Sequence, residues 1–103
     1  MIDWSRVEEL RDEIGDEDLV EIVELFLAEI TDAVQALETI GSGQPLSDAL
    51  HGIKGSAMNL GFNAVATLCA EGEASAADFD RIQLRSAVLS SQDAVTDRYK
   101  SLF

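Results

Sequence analysis

Residues 45–61 read PLSDALHGIKGSAMNLG, and the apolar positions Leu46, Leu50, Ile53, Ala57 and Leu60 fall at intervals of 4, 3, 4 and 3. That rhythm keeps one stripe on one side of an α-helix and suits helices packed nearly antiparallel in a bundle. Pro45 sits where a first helical turn tolerates a missing amide hydrogen, and Gly61 is the natural terminator. The preceding Gly41-Ser42-Gly43-Gln44-Pro45 is the clearest loop in the chain.

Upstream, Asp3 is placed to cap a short first helix whose apolar residues Trp4, Val7, Leu10 and Ile14 have helical spacing, with Gly15 ending it. Asp16 then caps a long second helix with the stripe Leu19, Ile22, Val23, Phe26, Ile30, Ala33, Val34, Leu37 and Ile40, stopped by Gly41. Downstream, Asn63 caps a fourth helix carrying Val65, Leu68 and Cys69, with Ala76 at its far end and Gly72 inside it at a cost of about 1 kcal/mol relative to alanine. A last helix from about Asp80 to Leu102 shows Ile82, Leu84, Val88, Val95, Tyr99 and Leu102, with the small residues Ala87, Ser91 and Ala94 between them. The expected fold is all-α, an antiparallel four-helix bundle with a short N-terminal covering helix, in a single domain over residues 1–103.

Composition narrows the partners. Against 7 basic residues stand 20 acidic ones, a net charge of −13 that repels nucleic acid and anionic lipid surfaces. The carboxylates concentrate between Met1 and Glu38, where Arg6 and Arg11 are the basic residues, so the acids of the second helix read as a solvated face. Trp4 and Cys69 fall in apolar stripes and read as core. Lone Cys69 cannot form an internal disulfide. No basic region followed by an apolar leader opens the chain, and no apolar run approaches the roughly 20 residues a membrane span needs. These features imply a cytoplasmic protein without membrane insertion, and a bundle complete in one chain implies a monomer.

Chemistry concentrates on the third helix. Counting roughly 100° per residue from Leu46 puts His51 near 140°, Lys54 near 80°, Met58 near 120° and Gly55 near 180°, an outward strip opposite the core stripe. Ser56 and Asn59 flank it on the side away from Lys54. Gly55 is a poor mid-helix residue unless its missing side chain matters, and its absence opens the imidazole to an approaching partner. Lys54, three residues on, puts an ammonium group beside whatever the imidazole carries.

The run His51-Gly52-Ile53-Lys54-Gly55-Ser56-Ala57-Met58-Asn59-Leu60-Gly61 resembles the signature of the histidine phosphotransfer (HPt) domains of two-component phosphorelays. His, then Lys, Gly, a small residue and Ala, then Leu-Gly are met at each position. Leu68-Cys69 and the acidic Leu25-Phe26-Leu27 region are also similar, so the resemblance covers most of the chain. Gly52 departs from it, standing where a side chain is more usual, as does Gly72, where an apolar residue is common.

The resemblance implies that Nε2 of His51 takes a phosphoryl group from a receiver-domain aspartate and passes it to another receiver, with Lys54 stabilising its charge. It implies a phosphocarrier that has no cofactor or metal site of its own, the Mg²⁺ belonging to the receiver. Its partners would be response-regulator receiver domains and a hybrid sensor histidine kinase. Met58, Phe62 and Ser47 would form the receiver-binding contacts around His51. No Gly-rich phosphate loop with its lysine is present, so neither ATP binding nor autonomous kinase activity is expected. The alternatives are a helical adaptor with His51 passive, which leaves the glycine and lysine around it unexplained, and an enzyme using His51 as general base, for which the strip offers no second catalytic group.

Overall fold

The computed structural model describes residues 2–41 and 43–103, with Asp78 described by its backbone alone. Ser42, in the expected loop, lies outside the described residues. Four long helical elements form the chain: α1 (Trp4–Ala36), α2 (Gln44–Asn59), α3 (Asn63–Ala74) and α4 (Arg81–Arg98). They pack as a ring, α1 on α2, α2 on α3, α3 on α4 and α4 back on α1. No named strand occurs among the described residues, and Ile2 makes a single antiparallel bridge to Phe62. Among them no helix is long and apolar enough to cross a membrane.

The expected first and second helices are the two arms of α1. Gly15 divides them with φ 84° and ψ 168°, a conformation that only glycine adopts without strain. Asp3 caps the first arm as expected, its Oδ1 accepting from Arg6 N at 3.2 Å. Asp16 does not cap the second. Its carboxylate accepts instead from Arg11 Nε at 2.6 Å, tying the two arms together across the bend. The second arm also ends sooner than its apolar stripe suggested, passing at Ala36 into a 3₁₀ turn, Leu37–Thr39, before extended Ile40. Arg81 explains how that end is satisfied, since its guanidinium donates to the carbonyls of Leu37 and Ile40, each at 3.0 Å.

The first arm covers the bundle from its end. Asp3 N donates to Gly61 O at 2.7 Å, and Gly61 itself has φ 74° with Asp3 O only 2.6 Å from where a Cβ would stand. A side chain at 61 would therefore be strained and would also displace the cover. Arg6 Nε adds a bond to Asn59 O at 3.1 Å. At the other end of the bundle's sequence, Trp4 meets Tyr99 edge-on at 6.4 Å, Arg98 lies 4.5 Å over the Trp4 ring, and Tyr99 donates to Glu8.

The core follows the expected stripes, with Leu19, Leu37, Leu50, Val65, Cys69 and Leu84 fully buried. Four assignments change. Ile82, read as part of the last stripe, is 81% exposed, because it stands two residues, roughly 200° of helix, before buried Leu84 and so faces away from the core. Asn63 is the first residue of α3 instead of its cap, a position taken by Phe62 with no side-chain bond, and Ala76 lies past the helix in a 3₁₀ turn. Leu27 joins the core although it was not in the stripe.

Gly72 is buried where α3 meets α2. A Cβ there would stand 2.7 Å from Leu50 Cδ1 and 2.9 Å from Phe79 Cδ1. The missing side chain is replaced by the Phe79 ring, which folds back after α3 and fills the space.

Candidate functional site

His51 projects from the middle of α2 with 73% of its side chain exposed, while Leu50 and Ile53 beside it are buried. The exposure follows from phase: the same turn that sends Leu50 inward sends its neighbour out. Across the α2–α3 packing, Glu73 reaches the ring, its Oε2 lying 3.4 Å from Nδ1. Its other oxygen, Oε1, is 3.0 Å from Lys54 Nζ. Oε1 is shut off from solvent, and the ammonium approaches it off the line of a well-directed hydrogen bond, so this contact is an ion pair. One carboxylate thus spans the two expected site residues of α2.

Lys54 is the main influence holding the Glu73 carboxyl below its usual range, against the opposing effect of burial, and His51 adds to it. An ionised carboxylate only accepts hydrogen bonds, so the contact to His51, though long, requires the proton on Nδ1. In a neutral ring that tautomer leaves the lone pair to Nε2, on the far side of the ring from Glu73.

Around His51 the surface is low. Neither Gly55 nor Gly52 would bring a Cβ within 4 Å of another group, and both positions are exposed. Met58 is 58% exposed two turns along. Ser47, one turn before His51, is half-buried and lines a hollow of about 350 Å³ together with Gly43, Gln44 and Glu73. A larger hollow of about 750 Å³ between α3 and α4, lined by Asn63, Thr67, Asp80 and Ser86 among others, takes no residue from α2.

Phe62 does not belong to this surface. It is 0% exposed, packed in the core under the α2–α3 turn, so the expected receiver contact at this position is corrected. A turn has no periodicity from which its inward direction could be read. Glu73 is the residue that sequence reasoning missed. One signal for it existed: four residues after buried Cys69, it lies roughly 40° from the inward direction of α3, where a carboxylate needs a partner.

A family model for the Hpt domain matches residues 21–101, which takes in the second arm of α1 from Glu21 onward, all of α2 with His51, α3 and α4. Neither a curated protein nor a solved structure matched the chain. Members of this family serve two-component phosphorelays as phosphocarriers, and a match enclosing both the bundle and its exposed histidine establishes that the chain belongs to the Hpt domain family.

Proposed function

We propose that His51 is the phosphoryl-accepting residue and that Nε2 is the reacting atom. The observation that carries this reading is the contact of Glu73 with Nδ1 on a ring that is 73% exposed, which leaves the lone pair of Nε2 facing the approach. In the transfer, that lone pair forms the P–N bond as the P–O bond to a receiver aspartate breaks, and the electron pair of the broken bond leaves on the aspartate carboxylate. No proton has to move.

The imidazole becomes cationic as its lone pair is used, and the Glu73 carboxylate at Nδ1 offsets that charge, much as a buried carboxylate supports the histidine of a catalytic triad. At rest Lys54 is held at Glu73, on the Nδ1 side of the ring. It serves the transfer by leaving Glu73 for a phosphoryl oxygen, a short movement for a flexible four-carbon stem. Return of the phosphoryl group to a second receiver reverses each step, with neutral imidazole as the leaving group.

The partners in this reading are receiver domains and a hybrid sensor histidine kinase, with the carrier passing phosphate in either direction. Mg²⁺ belongs to the receiver. The residues around His51 do not suit the ion: Glu73, the carboxylate that reaches the histidine, already faces an ammonium group, and Mg²⁺ wants several oxygen ligands in octahedral geometry. Met58 and Ser47 border the contact, and Gly55 keeps the ring reachable.

The test is transfer itself. Incubation with receiver domains phosphorylated on aspartate should place acid-labile, base-stable phosphate on the wild-type chain and none on His51→Gln. Label that survives the substitution overturns the assignment.

A further inference from the structure

With a phosphoryl group on Nε2 of His51, the fate of the proton on Nδ1 decides how easily that group leaves. While the proton stays, the ring is a cation, and breaking the P–N bond returns the electron pair to Nε2 of a neutral imidazole. Once it is lost, the leaving group is an imidazolate, a far stronger base that leaves poorly. Phosphohistidine is acid-labile and base-stable for this reason. Whatever holds the proton on Nδ1 therefore governs how long the phosphorylated chain lasts.

Glu73 occupies that position. Its Oε2 lies 3.4 Å from Nδ1, and its side chain is 21% exposed against 73% for His51, so the carboxylate meets the ring from the sheltered α2–α3 seam. Lys54 and His51 both favour its ionised form. Other charges near the ring are few. On α2, Asp48 stands exposed three residues before His51 and accepts from Gln44 Nε2 at 2.7 Å. On α3, Cys69, one turn before Glu73, is buried with its thiol pushed up to about 12, and so is neutral. The hollow beside Glu73 is otherwise lined by uncharged residues. Among the described residues no ion pair or hydrogen bond joins the ring to α1 or α4.

We propose that Glu73 sets the lifetime of phosphohistidine in this chain, by holding the proton on Nδ1 of the phosphorylated ring so that the phosphoryl group stays labile into the alkaline range. The inference rests on the phosphotransfer reading and adds how the phosphorylated state decays. At rest the carboxylate is shared between the ring and the Lys54 ammonium. When Lys54 turns to a phosphoryl oxygen, that charge is left to the imidazolium. Hydrolysis then needs no outside acid: the oxygen of a solvent water bonds to phosphorus as the P–N bond breaks, and the electron pair returns to Nε2. A dianionic phosphoryl group thus yields dihydrogen phosphate and neutral imidazole, its proton still on Nδ1. The effect changes sign with pH. At low pH the ring is protonated without help, and Glu73 stabilises that cation more than a transition state in which the ring is losing its charge, which slows the loss. At high pH it maintains a protonated fraction that would otherwise vanish, which speeds it.

The experiment phosphorylates the whole chain and Glu73→Gln with phosphoramidate, removes the donor, and follows the loss of phosphate from His51 by phosphorus NMR between about pH 5 and pH 10. The midpoint of the wild-type lifetime profile should lie at least about 0.5 pH unit above that of the variant. Loss from wild type should be about threefold faster or more near pH 9, and equal or slower near pH 5. A shielding or packing role would instead change the rate by one factor at every pH. Nitrogen NMR of the phosphorylated wild-type chain, folded and in urea, reads the Nδ1 proton without relying on a variant's fold. The folded chain should keep that proton to a pH higher by about 0.5 unit or more. Coincident midpoints in either comparison, or rates that differ by a constant factor, overturn the proposal. If phosphoramidate labels Nε2 while the midpoints coincide, only the lifetime inference falls. If it labels Nδ1, or leaves His51 unlabelled, the phosphotransfer reading falls with it.

Discussion

Glu73 of α3 holds His51 Nδ1 at 3.4 Å through one carboxylate oxygen and Lys54 Nζ at 3.0 Å through the other, joining residues that α2 alone would leave independent. If the carboxylate orients the ring and offsets its developing charge, Glu73→Ala should lower the rate of phosphotransfer by about tenfold or more. Glu73→Gln, which keeps an acceptor but not the charge, should fall between. Single-turnover transfer kinetics of the two variants provide the check, and equal rates for wild type and Glu73→Ala would remove Glu73 from the mechanism.

The glycines divide sharply by their surroundings. Gly55 lies exposed in mid-helix with open space around it, so Gly55→Ala should stabilise the fold by up to about 1 kcal/mol through helix propensity. A bulky residue at the same place should leave the bundle folded yet slow transfer. Denaturant unfolding combined with transfer rates distinguishes this from a packing role, which would show as lost stability.

Gly72→Ala should do the opposite. Its Cβ would lie 2.7 Å from Leu50 and 2.9 Å from Phe79, both held in packed surroundings, so a net loss of about 1–2 kcal/mol is expected after the gain in propensity. Phe79→Ala in the same background should recover part of that loss, a coupling that a double-mutant cycle in urea would measure.

Cys69 is buried, and burial, reinforced by Glu73, pushes its thiol up to about 12. In the unfolded chain it titrates near 8.5. Because the folded value is the higher, the thiol's contribution to stability is complete below about pH 8.5 and declines as pH rises above it. Native protein should resist alkylation by iodoacetamide at pH 8, with labelling only at the rate of unfolding. Rapid labelling of the folded chain would contradict the burial of Cys69.

Ser91 is 0% exposed in α4, and its hydroxyl has no hydrogen-bond partner among the protein atoms. Ser91→Ala should stabilise the bundle by about 1 kcal/mol, read as a higher denaturation midpoint. A loss of stability would show that the hydroxyl is satisfied.

The bundle was legible because its apolar residues repeat. Leu46, Leu50, Ile53, Ala57 and Leu60 all proved buried, and helical phase placed His51, Gly55 and Met58 on the exposed side. Phase describes a residue relative to its own helix and says nothing of which neighbour reaches it. Glu73, 22 residues from His51, is therefore invisible to it, and so is the ion pair that Glu73 makes with Lys54. Phe62 sits in a turn where the periodic pattern stops, whereas Ile82 was placed in one stripe with Leu84 although residues two apart on a helix cannot share a face.

In the mechanism proposed above, Nε2 of His51 carries the phosphoryl group while Glu73 keeps the proton on Nδ1. Nitrogen NMR of the chain with labelled histidine, before and after reaction with phosphoramidate, reads both ring nitrogens of the one histidine directly. Nε2 should shift and couple to phosphorus, while Nδ1 retains its proton. Phosphorus on Nδ1, or no change at His51 while phosphate appears elsewhere, would contradict it.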